Sequence, residues 1–353
     1  MNDKRTFNDD DKDIYSSSQD YYSSYLKTEN RVGAIGLKNL GNTCFMNSSL
    51  QCLGHLPSFI EEIKSLSKKT IKEKNLINVL ADLFVQMENK DKEYKSETLL
   101  KDTISLMSTI NKKYSLFNQQ DANEFISLLL FNLNRQIKSL DITFENKYIN
   151  QKSESQEFKN MMQRFFSGKS FIESLFYGKI KKVIQCPRGH ELKHIYQIFT
   201  ILELSFIEGN SPKDLKKMLM NYQDNQYYDD EIVCPMCNNK NYKRCRQQTL
   251  IYDLPKYFMV HFNKNEKKEY QKINYDLELS YSEITYHKDT NIKYELIGVI
   301  KFTGVKGFGH YTSICYNHFD EKYYKFNDYY FKEVGQKDLI CDNANILFYE
   351  RIN

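Results

Sequence analysis

"GLKNLGNTCFMNSSLQCL", Gly36 to Leu53, crowds two glycines, three asparagines and two serines around two thiols. It reads as a loop feeding a helix over residues 43–56. Thr43 or Asn42 can cap that helix, Leu50 and Leu53 follow at helical spacing, and Pro57 lies just beyond its end. Cys44 then falls in the first turn, where unpaired backbone N–H groups and the positive end of the dipole favour a thiolate. Cys52 sits two turns further in, without that help. Two readings of Cys44 stand at this point: a small buried residue at a helix start, or a nucleophile. The second needs a base, and the base needs an orienting group.

Both are offered far downstream by "KGFGHYTSICYNHFDEKYYKFNDYY", Lys306 to Tyr330. His310 follows a glycine-rich turn and leads into a strand, while Asn327 and Asp328 close the next one. Adjacent antiparallel strands bring such side chains together, and a Cys…His…Asn/Asp order is one that papain-like hydrolases use.

Around these two segments the chain changes character from helix to strand. Residues 74–87 repeat apolar side chains at Leu76, Val79, Leu80, Leu83 and Phe84, one stripe of an amphipathic helix, and 97–110 suits another. In "QQDANEFISLLLFNLNRQI" (Gln119–Ile137), Asp121 followed three residues later by Glu124 is a capping-box arrangement, with Phe125, Leu128, Leu129 and Leu133 facing a core. From Ile180 onward short runs rich in β-branched and aromatic residues, bounded by Gly, Pro, Asn or Asp, read as strands. Helices first and strands second predict an α+β protein with an antiparallel sheet. Residues 145–168 and 263–290 read as loops, and 1–31, acidic and short of aliphatics, as a disordered tail.

Composition narrows the function classes. Fifty basic against 46 acidic side chains give a net charge of +4, which predicts no grip on nucleic acid or an anionic membrane. No apolar run approaches the roughly 20 residues that cross a bilayer, and the amino terminus lacks the apolar centre of a secretory signal. The expectation is an intracellular monomer, cytoplasmic or nuclear. There, eight scattered cysteines are core fillers, metal ligands or nucleophiles more often than disulfides.

The segment Gly36–Leu53 resembles the cysteine box of the ubiquitin-specific proteases almost residue for residue. "YELIGVIKFTGVKGFGHYTSICY" followed by "KFNDYYFKEV" is similar to their histidine box. Between them, "QQDANEF" and "LPKYFMVHFNK" resemble two further family signatures, and "NILFYERI" the last strand. The resemblance implies a papain-like cysteine protease fold with a helical thumb (32–177), fingers (178–250) and a palm sheet (251–353). It implies a thiol-dependent deubiquitinase that cleaves after the Gly-Gly end of ubiquitin through an acyl-enzyme. Cys44 would be the nucleophile, His310 the base and Asn327 the third member, with Asp328 sharing or assuming the orienting role. Asn39 matches the donor to the oxyanion. Asp121 and Glu124 match positions that bind the arginines of the ubiquitin tail, although capping their helix would explain both as well. Glycines 304, 307 and 309 would allow close backbone approach beside His310, as would simple structural turns.

Four more residues resemble the family's finger knuckles: "CPRGH" (186–190) and "CPMC" (234–237). Gly189 stands where the second cysteine of the first knuckle would fall, so the implied structural zinc site is Cys186, His190, Cys234 and Cys237, with Cys245 and His194 as nearby substitutes. A degenerate finger without metal is the other reading. Asn123, Phe302 and Tyr323 also depart from the family pattern without removing a catalytic group. The same residues would suit a catalytically impaired ubiquitin-binding scaffold, or a protease for another ubiquitin-like modifier.

Overall fold

The structure is a computed structural model that describes residues 33–70, 73–88, 96–140, 156–165, 169–205, 214–223, 225–263, 273–285, 291–305 and 308–352. The tail expected over 1–31 lies outside them. The chain divides into two compact units, one of Met1–Leu129, Glu266–Tyr270 and Gly298–Asn345, the other of Leu130–Asn265, Gln271–Ile297 and Ile346–Asn353. Helices and largely antiparallel sheets make the fold α+β.

In the first unit, helix α1 (Cys44–Leu53) is buried on every side. That answers what the polar residues of the opening stretch do. Gln51 Nε2 donates to the Ile35 carbonyl at 2.7 Å and Asn47 Nδ2 to that of Leu37 at 3.1 Å, so the helix holds the incoming chain by its backbone. Ser48 and Ser49 turn their hydroxyls onto the Phe45 carbonyl. Thr43 occupies the N-cap position, yet neither it nor Asn42 caps. The Thr43 hydroxyl accepts from Leu40 N at 2.9 Å and shapes the loop instead. Pro57 opens helix α2 (Pro57–Ser67) at its first turn, where a missing N–H costs nothing.

Helices α3 (Leu76–Glu88) and α4 (Ser96–Ile110) follow, α2 packing on α3 and α3 on α4. Helix α5 (Ala122–Ser139) starts where Asp121 Oδ1 accepts Glu124 N at 3.0 Å, and it passes from the first unit into the second. The other half of the expected capping box is absent, because the Glu124 carboxylate pairs with Lys113. Phe125 meets the Phe45 ring edge-on at 5.6 Å, an aromatic contact between α5 and α1. Strands β10 (Lys293–Val305), β11 (Phe308–Asn317), β12 (Lys322–Asn327) and β13 (Tyr330–Val334) form an antiparallel meander, and α1 packs against β11.

In the second unit, after the end of α5, comes helix α6 (Gln156–Phe165), inside the stretch expected to be a loop. Its apolar residues Phe158, Met161, Met162 and Phe165 follow helical spacing, and Phe158 and Met161 are buried, but the polar residues between them make the run read as a loop. Helix α7 (Phe171–Phe176) is capped by Ser170, whose hydroxyl accepts from Ile172 N. Strands β1 (Gly178–Gln185), β2 (Glu191–Phe199), β7 (Cys245–Asp253) and β4 (Asn225–Tyr228) form one antiparallel sheet in the order β2-β1-β7-β4, and β5 (Ile232–Cys234) pairs antiparallel with β6 (Lys240–Tyr242). The run "IYQIFTILELSF" divides at Thr200, and β3 (Ile201–Ser205) pairs parallel with β8 (Tyr257–Asn263), which pairs antiparallel with β14 (Ala344–Arg351). Within the second segment expected as loop lie β9 (Glu278–Ser280) and the single-turn helix Tyr281–Ile284. Among the described residues no helix is long and apolar enough to cross a membrane.

Candidate active site

Every residue of the expected triad lies in the first unit. Cys44 is the first residue of α1 and 2% exposed. His310 sits on β11 opposite Thr303 of β10. Asn327 ends β12, and Asp328 opens the turn to β13 with φ +49, a left-handed conformation that aspartate tolerates better than most residues.

His310 Nε2 is 2.6 Å from Asn327 Oδ1, and Cys44 acts electrostatically on the same imidazole. Asp328 Oδ2 lies 3.8 Å from the same Nε2. Burial alone would lower the pKa of His310. The hydrogen bond to Cys44, the charges of Asp328 and Cys44 and the bond to Asn327 outweigh it and raise the value to about 9. Burial pushes the Asp328 carboxyl up, while the His310 charge and hydrogen bonds from Asn39 and Asn47 pull it down. The arrangement can hold a thiol, a proton-carrying imidazole and an orienting amide in one line.

Asn39 reaches the same cluster. Its Nδ2 donates to Asp328 Oδ2 at 2.9 Å, and its Oδ1 accepts from the N–H groups of Gly41 and Thr43, both at 3.1 Å. The –NH2 carries a second hydrogen beside that bond. Gln119, which had no role in the sequence reading, joins them. Its Oε1 accepts Gly309 N at 3.0 Å, its Nε2 donates to Gly309 O, and that Nε2 stands 3.9 Å from Cys44 Sγ. Its position at the head of "QQDANEF" was the only signal. Asp121 accepts the Tyr311 hydroxyl at 3.2 Å in addition to capping α5. A Cβ on Gly309 would come within 2.3 Å of Phe302, so the strand before His310 needs glycine there. Gly304, directly opposite with φ +133, is likewise closed to side chains, and Gly307 lies outside the described residues.

The second unit gathers a separate cluster. Nδ1 of His190 lies 3.5 Å from Cys186 Sγ, 3.6 Å from Cys234 Sγ and 3.3 Å from Cys237 Sγ, and Cys186 and Cys237 are 4.0 Å apart. All four donor atoms fall within 4.8 Å of one another, so this group could hold a metal ion. The departure at Gly189 has a physical cause. With φ +86 it closes the turn in which Gly189 N bonds the Cys186 carbonyl at 2.8 Å, and the following residue, His190, swings into the ligand place. His194 pairs with Glu191 at 2.9 Å, and Cys245 is buried outside the four.

A family model described as ubiquitin carboxyl-terminal hydrolase matches residues 35–349. The ubiquitin carboxyl-terminal hydrolase Usp2 of Drosophila melanogaster is 26% identical over 352 residues, covering 95% of this chain and 37% of that protein. Ubiquitin carboxyl-terminal hydrolase 2 of Homo sapiens is 23% identical over 346 residues, covering 92% of this chain and 56% of its own length. The chain therefore spans between about a third and somewhat over half of these relatives. Among solved structures, the SAGA Ubp8/Sgf11/Sus1/Sgf73 DUB module bound to ubiquitin aldehyde superposes with a TM-score of 0.72 at 23% identity, over 94% of this chain and 74% of that one. At that identity the likeness speaks to the fold.

Proposed function

Because the chain belongs to the ubiquitin carboxyl-terminal hydrolase family, we propose that it is a thiol-dependent deubiquitinase acting through Cys44, His310 and Asn327. The observation that carries the proposal is the gathering of these groups: Asn327 holds His310 at 2.6 Å, Asp328 lies 3.8 Å from the same ring, and Gln119, 3.9 Å from Cys44 Sγ, binds the strand residue next to His310.

The chemistry follows from those positions. His310 takes the thiol proton of Cys44 as the sulfur attacks the carbonyl carbon of the terminal glycine of ubiquitin. Charge grows on the carbonyl oxygen, where the second amide hydrogen of Asn39 and the backbone N–H of Cys44 stabilise it. One such donor is worth about 100-fold in rate or more. His310 passes its proton to the departing lysine nitrogen as the C–N bond breaks, leaving a thioester on Cys44. Water, deprotonated by the same imidazole, then displaces the sulfur and frees the ubiquitin carboxylate. Asn327 holds the ring in line and Asp328 supplies negative charge beside it. Gly309 keeps the entry narrow, and Asp121 and Glu124 offer carboxylates to the arginines of the ubiquitin tail.

The Cys/His cluster fits structural zinc. A tetrahedron with arms of about 2.0–2.3 Å has edges of about 3.3–3.8 Å, close to the separations among these donors. Cys186, His190, Cys234 and Cys237 would hold the ion, and four protein ligands leave it no open position for chemistry. An intracellular, reducing setting is the one we propose, where such scattered cysteines serve as core residues, metal ligands and nucleophile. We take the division into thumb, fingers and palm at 32–177, 178–250 and 251–353 as the working description, and a monomer with ubiquitin and ubiquitinated proteins as its partners.

The test is to incubate the purified protein with ubiquitin carrying a C-terminal electrophile, beside the same probe on related modifiers. The proposal expects a covalent adduct with ubiquitin that Cys44→Ala abolishes. Ubiquitin binding without an adduct would make the chain a scaffold, and an adduct with another modifier alone would change the substrate.

A further inference from the structure

Asn47 lies one turn beyond Cys44 on α1, 2% exposed, and takes no part in the chemistry derived above. Its Nδ2 donates to Asp328 Oδ1 at 2.8 Å and to the Leu37 carbonyl at 3.1 Å. The Leu37 N–H in turn donates to the Asp328 carbonyl at 2.8 Å. Leu37 and Asn47, on one segment, thus close a ring of hydrogen bonds with the distant Asp328. The amide cannot be reversed, because its Oδ1 would then face a carboxylate and a carbonyl, both acceptors. As placed, Asn47 Oδ1 is buried with no hydrogen-bond partner among the described residues. The side chain gives up its own acceptor to donate on two fronts.

The other half of Asp328 explains what is gained. Oδ2 receives the Asn39 amide at 2.9 Å and stands 3.8 Å from His310 Nε2. A carboxylate rotates readily about its last bond, and nothing else that donates to Oδ1 is seen among the described residues. With Oδ1 pinned by the nucleophile's own helix, Oδ2 is directed at the base and at the oxyanion donor together. We propose that Asn47 is a positioning residue: it fixes the Asp328 carboxylate, and through it sets His310 and the Asn39 amide relative to Cys44. This rests on the hydrolytic reading of the site.

The experiment compares wild type, Asn47→Ala, Asp328→Ala and the double variant in two assays. One is steady-state hydrolysis of a fluorogenic amide at the ubiquitin C-terminus. The other is the rate of alkylation of Cys44 by iodoacetamide near neutral pH, followed by peptide mass spectrometry, which needs no ubiquitin. Charged or titratable groups that act on His310 are Cys44 and Asp328, so loss of an ordered Asp328 removes a charge that holds the proton on the imidazole. Asn47→Ala is expected to lower kcat by about tenfold or more, the usual worth of a hydrogen bond to a charged group, with KM within about twofold. Alkylation should slow in parallel. The double variant should be no slower than Asp328→Ala, because Asn47 acts only through that carboxylate. Losses that multiply, or a change confined to KM, would overturn the proposal, since a residue serving packing alone gives those results. If Asn47→Ala does not fold, Asn47→Gln, which keeps the amide but displaces it by a methylene, is put through the same cycle with the same criteria. Should wild type alkylate but not hydrolyse ubiquitin, the substrate reading fails while the alkylation cycle still decides the role of Asn47.

Discussion

Asn327 Oδ1 stands 2.6 Å from His310 Nε2, two residues on neighbouring strands, while the full negative charge comes from the next residue along. Orientation and charge are therefore divided between two side chains. An amide fixes the ring by hydrogen bonding but cannot match a carboxylate in stabilising imidazolium. Asn327→Ala is expected to lower kcat/KM by about tenfold, because the ring loses its guide but keeps the nearby charge. Asp328→Ala should cost about 100-fold, because it removes that charge and also releases the Asn39 amide. Steady-state hydrolysis of a ubiquitin C-terminal amide measures both, and a larger loss at Asn327 would reverse the division.

The raised His310 value, about 9, sets a pH dependence whose sign can be worked out. Aminolysis in reverse is not at issue here: an amide leaving group needs a proton, and only imidazolium can give it. As pH climbs through about 9, hydrolysis of an amide-linked substrate should fall. In Asp328→Ala, where the carboxylate no longer holds the proton on the ring, the alkaline fall should move to lower pH. Stability follows the same direction. A histidine raised from 6.5 contributes fully below 6.5 and loses its contribution as pH rises through about 9. Thermal unfolding of wild type against His310→Ala between those limits should show the difference shrinking as pH increases. A gap that stays constant would mean the ring is not ionised in the folded chain.

What could be read before the structure was the material that depends on local periodicity. The apolar stripe of 74–87, the cap at Asp121 and the β-branched runs after Ile180 each returned close to their expected places. Helix α6 did not, although Phe158, Met161, Met162 and Phe165 stand at helical spacing, because the high polarity of the surrounding residues outweighs that stripe. The hydroxyl of Thr43 matched a cap by type and position, but a tertiary competitor, the Leu40 N–H, took it. The site was legible as a residue order, Cys44, His310, Asn327, and its supporting contacts were not. Asn39 to Asp328 spans 289 residues, and Asn47 to Asp328 spans 281. Pairings at that separation leave no spacing to read, which is also why Gln119 and Asn47 escaped notice.

Gly36 opens the cysteine segment and stands in a very close approach to another backbone. A Cβ built there would lie 1.8 Å from the Tyr329 carbonyl oxygen, backbone against backbone, with no flexible side chain to yield. The turn carrying Asp328 is what would have to move. Gly36→Ala is expected to destabilise the fold by about 2 kcal/mol or more, in the range of overpacking a filled core. Activity at a temperature where the variant stays folded should fall further than stability alone explains. Urea denaturation beside kcat at low temperature separates the two, and a variant as stable and active as wild type would contradict the close approach.

The metal cluster yields the remaining prediction. Three cysteines that are 2%, 0% and 7% exposed, with His190 among them, would be four soft donors facing one another if no ion lay between. Ionised thiolates packed at such separations repel, so a cation that neutralises them would stabilise the group. Protein purified without chelator is expected to carry about one equivalent of zinc, read by elemental analysis. His190→Ala and Cys234→Ser should each lose most of it, whereas His194→Ala, whose ring is engaged with Glu191, should keep it. Stripping the ion from wild type with a strong chelator should lower the melting temperature by roughly 5 °C or more, and adding zinc back should restore it. Because the proposed ligands leave no open coordination position, the loss should appear first in stability and not as an altered pH profile of hydrolysis. Zinc content unchanged in both ligand variants would place the metal elsewhere, and wild type free of metal but equally stable would leave the cluster as a thiol core.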